Sequence, residues 1–247
     1  MAIRILDCAP MSPWFPRCHV GQTCLVVETD QGLVLVDTGV GVHDHEAPSP
    51  WVRFFALDFS MHRDASTTAV RQLARLGIPG EAVQHIVLTH LHFDHAGGLP
   101  DFPHAQVHVH RREHGAFLRP RSWIELAYDR LDAAHEPRWV VYDRLDADWL
   151  GFEAIHPPFN PAVYLIPLFG HTRGHCGVAL QDGEGWLFQC GDALPLSAEY
   201  DVTPAWVNSL VLGPHGQRLR TFAQAHPEVC MLAGHMWHSL YTTPSAV

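Results

Sequence analysis

Three histidines and an aspartate fall within six residues of the run Thr89-His90-Leu91-His92-Phe93-Asp94-His95. Imidazole nitrogens and carboxylate oxygens are ligands for zinc first, and for iron or manganese next. Packing alone gives no reason to gather groups that are costly to bury without partners. The chemistry open to such a cluster is metal-assisted: an ion acidifies a water and polarises the bond that the water attacks. The run follows Ile86-Val87-Leu88, an aliphatic stretch that reads as a buried strand. The donors therefore hang from a loop at a strand's C-terminal end, where layered α/β folds usually carry their sites.

Further elements can be read around this loop. Ile3 to Leu6 reads as a first strand, and Thr23 to Glu28 with Leu33 to Val36 as a hairpin turning at Asp30-Gln31-Gly32. Ala65 to Leu76 has helical spacing and stops at Gly77 and Pro79. After a short strand, Gln106 to Val109, the composition shifts. Residues Arg111 to Trp139 are charged, helical in pattern and dotted with aromatics, and read as a helical cap or insertion. Val163 to Leu168, Gly177 to Leu180 and Trp186 to Gln189 read as strands, Gln217 to Ala225 as a helix, and Glu228 to Leu232 as a last strand. Periodicity by itself gives a mixed α/β layered domain spanning residues 1–247.

Composition narrows the function. The net charge is −10 and the 16 Lys and Arg are scattered, which argues against nucleic acid as a partner. No uninterrupted apolar stretch reaches membrane-spanning length and the N-terminus lacks a signal-peptide pattern, so the expected setting is cytoplasmic, without a membrane partner. The six cysteines have no CxxC spacing and read as free thiols. The sequence leaves the oligomeric state open.

HxHxDH after a strand resembles the metallo-β-lactamase superfamily, and the rest of that family's pattern occurs in order along the chain. Val36-Asp37-Thr38-Gly39 matches its early aspartate, and Gly170-His171-Thr172 with Gly174-His175 its third-histidine loop. Gly191-Asp192-Ala193 resembles its bridging-aspartate segment and Ala233-Gly234-His235 its last ligand loop. The resemblance implies a four-layer αββα sandwich holding two divalent ions, zinc first. His90, His92 and His171 would hold one ion, Asp94, His95 and His235 the other, and Asp192 would bridge them. A hydroxide between the ions would be the nucleophile, and Asp94 would also orient it or carry a proton.

Around these ligands, Asp37 reads equally as the acceptor for a ligand histidine's outer N–H or as a cap on its own turn. His175 reads as a supporting residue, and Cys190 as the buried end of its strand. Within the superfamily the nearest resemblance is to N-acyl homoserine lactonases and related lactonases or esterases. It rests on His90 to Gly98 and on His171-Thr172-Arg173-Gly174-His175. Those lactonases carry a Tyr shortly after the bridging aspartate; here Ala193, Leu194, Pro195 and Leu196 follow, and the nearest Tyr is Tyr200. The implied activity is hydrolysis of an ester or lactone in a small, largely apolar molecule. The alternatives are a phosphotriesterase-like hydrolase, a mononuclear-iron enzyme resembling persulfide dioxygenases and, last, a metal-stabilised binding module. Trp14, Phe15, Trp51, Phe54, Phe55 and the aromatics from Phe117 to Trp139 are candidates for the pocket wall.

Overall fold

A computed structural model describes residues 2–12, 19–29, 32–58, 60–183, 185–194 and 213–237. Trp14, Phe15 and Tyr200 lie outside the described residues. Strand β1 (Ile3–Asp7) pairs antiparallel with the long β2 (Val20–Thr29), which forms a hairpin with β3 (Gly32–Val36). Three parallel strands follow across the same sheet: β4 (Val83–Val87), β5 (Gln106–His110) and β6 (Arg138–Tyr142). Parallel neighbours need crossovers. Helix α3 (Ala69–Arg75) lies between β3 and β4, α4 (Phe93–Ala96) between β4 and β5, and α5 (Arg111–Leu118) between β5 and β6. Two further helices, α1 (Val42–Glu46) and α2 (Pro50–Asp58), precede α3.

The second sheet is ordered β12-β11-β10-β9, from β9 (Val163–Pro167), β10 (Cys176–Asp182), β11 (Gly185–Gln189) and β12 (Val229–Leu232). Helix α6 (Gly216–Ala225) precedes β12, and a small hairpin pairs β7 (Ala147–Trp149) with β8 (Phe152–Ala154). The chain then leaves β12, crosses to the first sheet and pairs β13 (His235–Trp237) with the start of β2.

Alternation along the strands explains the layering. Leu25, Val27, Val34, Val36 and Val87 turn inward and meet Val163, Leu165, Val178, Leu180 and Leu232, which makes the core between the sheets. Cys24, Val26, Leu35, Ile86, Val107 and Val109 face the other way and pack on Leu73, Ala96 and Phe117 of the helices. On the far side, Ile166, Ala179 and Phe188 pack on Leu219 and Phe222 of α6 and on the β7–β8 hairpin. Both faces of each sheet are covered, which is the αββα sandwich that the resemblance implies.

Several boundaries differ from the sequence reading. Residues 65–76 divide into a 3-10 turn, Ala65–Thr67, and α3, because Thr68 between them is extended and caps the turn. Arg138 and Trp139, read as the end of the helical insertion, belong to β6. Trp139-Val140-Val141-Tyr142 is aromatic and β-branched, and it pairs with β5. Between α5 and β6 the chain makes two 3-10 turns, Ile124–Ala127 and Arg130–Ala133. The five described cysteines are free, and four of them are buried. No helix among the described residues is long and apolar enough to cross a membrane.

Candidate metal centre

Because β3, β4 and β5 run parallel, the loops after them open at the same edge of the first sheet. Asp37 follows β3, the His90–His95 run follows β4, and α5 follows β5. The second sheet delivers His171 from the loop between β9 and β10 and Asp192 from just after β11, while His235 is the first residue of β13, on the first sheet. All seven predicted donors meet at this one edge.

They form two overlapping groups. His92 Nδ1 lies 3.0 Å from His90 Nε2 and 3.1 Å from His171 Nε2. Donors around a tetrahedral zinc at its usual bond lengths stand about 3.3 Å apart. On the other side, His235 Nε2 lies 3.4 Å from Asp94 Oδ2, and His95 Nε2 lies 3.9 Å from the same oxygen. Asp192 reaches both groups: Oδ2 is 3.4 Å from His171 Nε2 and 3.6 Å from His235 Nε2, while Oδ1 is 3.3 Å from His95 Nε2. His95 Nε2 and Asp192 Oδ1 are both buried, yet neither has a hydrogen-bond partner. Two orphaned buried atoms aimed at one point are what a cation between them would satisfy.

The electrostatics agree. Burial and the neighbouring imidazoles push His90 well below the usual histidine range, and burial with His171 holds His92 at about 3. Both are thus neutral and have lone pairs to offer. Burial also opposes charge on His235, but Asp192 and Asp94 raise it to about 9. Burial works against ionising Asp94 as well, and His95 and His235 override it, holding the carboxyl at about 2. The carboxylates thus draw positive charge into the second group, which suits a divalent ion.

Supporting residues fix these donors. Asp37 is fully buried, at a positive φ of 54°. Asp is among the few residues that adopt this conformation readily. Its Oδ2 accepts from His95 Nδ1 at 2.9 Å, leaving Nε2 to face the site, and its two oxygens accept from Thr89 N and Oγ1, each at 2.8 Å. Of its two readings, the carboxylate behind a donor histidine is the one seen. His175 is buried and its Nε2 accepts from the Asp192 backbone N–H at 3.0 Å, so it supports the Asp192 loop. Cys190 is buried at the strand end, its thiol directed to Phe188 O at 3.6 Å.

One central residue was missed. Glu113, in the first turn of α5, is fully buried. Its Oε1 accepts from Leu91 N at 2.9 Å and Tyr128 Oη at 2.8 Å, and its Oε2 from Thr172 Oγ1 at 2.6 Å and Gly174 N at 3.1 Å. Leu91 lies between His90 and His92, and Thr172 follows His171, so one carboxylate ties two donor loops to the insertion. A Cβ at Gly174 would collide with Glu113 N, which is why that loop needs glycine. A lone Glu in a charged stretch gives no sequence signal for this role.

The donors form the floor of a cleft of about 510 Å³. Asp94, Asp192, His92, His171 and His235 line its base, Trp51, Phe54 and Phe55 of α2 one wall, and Trp123, Ile124 and Leu126 of the insertion another. Phe117 and Tyr128 are instead buried in the core, and Trp139 packs against it. No Lys or Arg lines the cleft among the described residues.

Comparison with known proteins places this architecture. Over 179 residues the chain is 43% identical to a probable metallo-hydrolase of Mycobacterium tuberculosis, a match covering 71% of this chain and 56% of the relative. The chain thus spans little more than half the length of that relative. An N-acyl homoserine lactonase of Bacillus cereus is 32% identical over 169 residues, covering 66% of this chain and 60% of the lactonase. Among solved structures, an N-acyl homoserine lactone hydrolase with N-hexanoyl-L-homoserine bound at its catalytic metal centre superposes with a TM-score of 0.72. That match covers 99% of this chain and 96% of the hydrolase at 19% identity, a likeness of fold. Residues 19–235 match the model of the metallo-beta-lactamase superfamily, and the chain belongs to that superfamily.

Proposed function

We propose that this chain is a metal-dependent hydrolase that opens an ester or lactone bond in a small, largely apolar molecule. The observation that carries the reading is a seven-donor cluster at the floor of a cleft whose walls, among the described residues, are aromatic and aliphatic and carry no Lys or Arg. His90, His92 and His171 would hold one divalent ion, Asp94, His95 and His235 a second, and Asp192 would face both; zinc is the first choice for this donor set. Bound there, the ions would supply Lewis acidity and an acidified water.

The chain's own residues do the rest. Asp37 keeps His95 in the tautomer that presents Nε2, and His175 holds the Asp192 backbone. Asp94 and Asp192 are the two carboxylates lining the cleft among its described residues. Asp94 lies at the cleft's base, and in this reading it would take a proton from the attacking water and return it to the leaving oxygen. The walls take up an apolar body and exclude water around it. Part of one wall comes from the insertion, which supports reading residues 1–247 as one domain with the insertion as its cap. The relatives named as N-acyl homoserine lactonases support the carbonyl class. Tyr128 does not stand in for the lactonase tyrosine: its ring lies 5.3 Å from that of His92, but its hydroxyl is committed to Glu113.

The test is a hydrolysis screen with metal-replete protein over lactones, aryl esters, phosphotriesters, thioesters, β-lactams and RNA. Lactones or aryl esters should give the highest kcat/KM, and RNA none. Efficient β-lactam or RNA cleavage with inert esters and lactones would overturn the reading.

A further inference from the structure

A second group of metal-capable side chains lies beside the first and takes no part in it. His43 and Asp44 sit on α1, and Asp132 on the 3-10 turn Arg130–Ala133 of the insertion. One nitrogen and two carboxylate oxygens from these residues lie within 4.8 Å of one another. His43 Nε2 is 3.1 Å from Asp44 Oδ1 and 3.5 Å from Asp132 Oδ1. Neither contact has hydrogen-bond alignment, since all three atoms are buried without a hydrogen-bond partner.

Asp132 makes the case. It is 0% exposed, and neither of its carboxylate oxygens has a hydrogen-bond partner. Buried carboxylates nearly always have donors, because an unpaired one costs several kcal/mol or gives up its charge. Asp44 is 3% exposed; Gly41 N donates to its Oδ2 at 2.9 Å and leaves Oδ1 facing the cluster. Asp129 adds another buried oxygen, Oδ2, also without a partner. Its charge, like those of Asp44 and Asp132, falls on its neighbours: Asp132 and Asp129 help burial push Asp44 up to about 8. No Arg or Lys pairs with any of these carboxylates among the described residues.

We propose that His43 Nε2, Asp44 Oδ1 and Asp132 Oδ1 form a third cation site, separate from the seven-donor centre, for a divalent ion accepting mixed imidazole and carboxylate ligands, such as Zn2+. An ion there replaces the missing donors of Asp132 and offsets the gathered negative charge. It also joins α1 to the insertion. Asp44 packs against Gly97 at the end of the helix that carries Asp94 and His95. The site therefore ties the insertion to α1 without touching the cleft floor.

The test is zinc-edge anomalous diffraction from crystals of the intact protein grown with Zn2+, together with metal analysis of wild type, Asp132→Asn and His43→Gln. The expected result is a peak between His43, Asp44 and Asp132, with one zinc fewer per chain in either variant and the other zincs retained. His43→Gln changes a partly exposed side chain, so it carries the test if Asp132→Asn does not fold. A wild-type crystal with zinc at the seven-donor centre and none at His43, or a zinc count unchanged by His43→Gln, would overturn the site. Protons shared between Asp44 and Asp132 would then account for the cluster. Because the probe is the metal alone, failure here leaves the reading of the main centre untouched.

Discussion

Replacing Glu113 by Gln keeps the side chain's shape and removes its charge, so it isolates what the four accepted hydrogen bonds do. An amide has one oxygen. If its nitrogen takes the Oε2 position it faces Thr172 Oγ1, which can turn to accept, and Gly174 N, which cannot. If it takes the Oε1 position, Tyr128 can accept and Leu91 N cannot. Either way one buried backbone N–H is left without an acceptor, at about 1–3 kcal/mol. The surviving bonds also lose their charge assistance, worth roughly half their strength. The relieved cost of burying a carboxylate offsets part of this, and burial does raise the Glu113 pKa above its usual range. A net loss of about 2 kcal/mol is expected in urea unfolding of the metal-free protein. Leu91 and Thr172 hold the His90, His92 and His171 loops, so affinity for the first ion should also fall, by about 10–100-fold as for other residues that orient ligands. A competitive zinc titration reads this as a weakened first ion with a second ion unchanged. If Glu113→Gln kept wild-type stability and both zinc affinities, the carboxylate would not be the anchor described here.

The remaining expectations concern the centre and its cleft. Asp192→Ala should lose more zinc than His235→Ala, because Asp192 faces both donor groups; two ions retained at normal occupancy would show that it bridges nothing. Both variants should stay folded by circular dichroism, since Asp192 lies beyond β11 and His235 is the first residue of the short β13, outside the apolar core. Trp51→Ala and Phe54→Ala should each raise KM for long-chain esters more than for short-chain ones, by about 10-fold or less for one lost wall contact; equal effects on both would place the acyl chain elsewhere.

What the sequence made legible was what repeats or clusters. Most of the strands were readable because aliphatic and β-branched runs such as Ile86-Val87-Leu88 have one physical explanation; β6, the short β7 and β8, and β13 were not. The donors were readable because seven costly polar groups in a familiar order have few others. Asp37 could be found but not decided, since capping its turn and backing a histidine both need the same carboxylate. Glu113 was not legible: its partners come from residues 91, 128, 172 and 174, and nothing local marks a residue whose role is long-range. Helices α1 and α2 were missed for a similar reason. For α2 the stability comes from packing, with Val52, Phe55 and Ala56 against Met11, Val20, Met61 and Phe93, and α1 is only five residues long, too short for a clear local pattern. The reading of 138–139 as insertion followed composition and overlooked that Trp139-Val140-Val141-Tyr142 favours a strand.

The return of the chain from β12 to β2 sets an order of events. His235 reaches its neighbours only by pairing with Gln22, more than two hundred positions earlier, and Gln189 Nε2 spans 166 residues to donate to Thr23 O. Contacts this distant form late, because the loop entropy must be met before the contact returns anything. The half-site of His90 and His92 can exist as soon as β4 docks. The full donor set cannot exist until β13 has found the first sheet. Complete metal uptake is therefore a chemical report that β13 has docked, and a chain stalled on the ribosome before β13 would hold at most an incomplete centre.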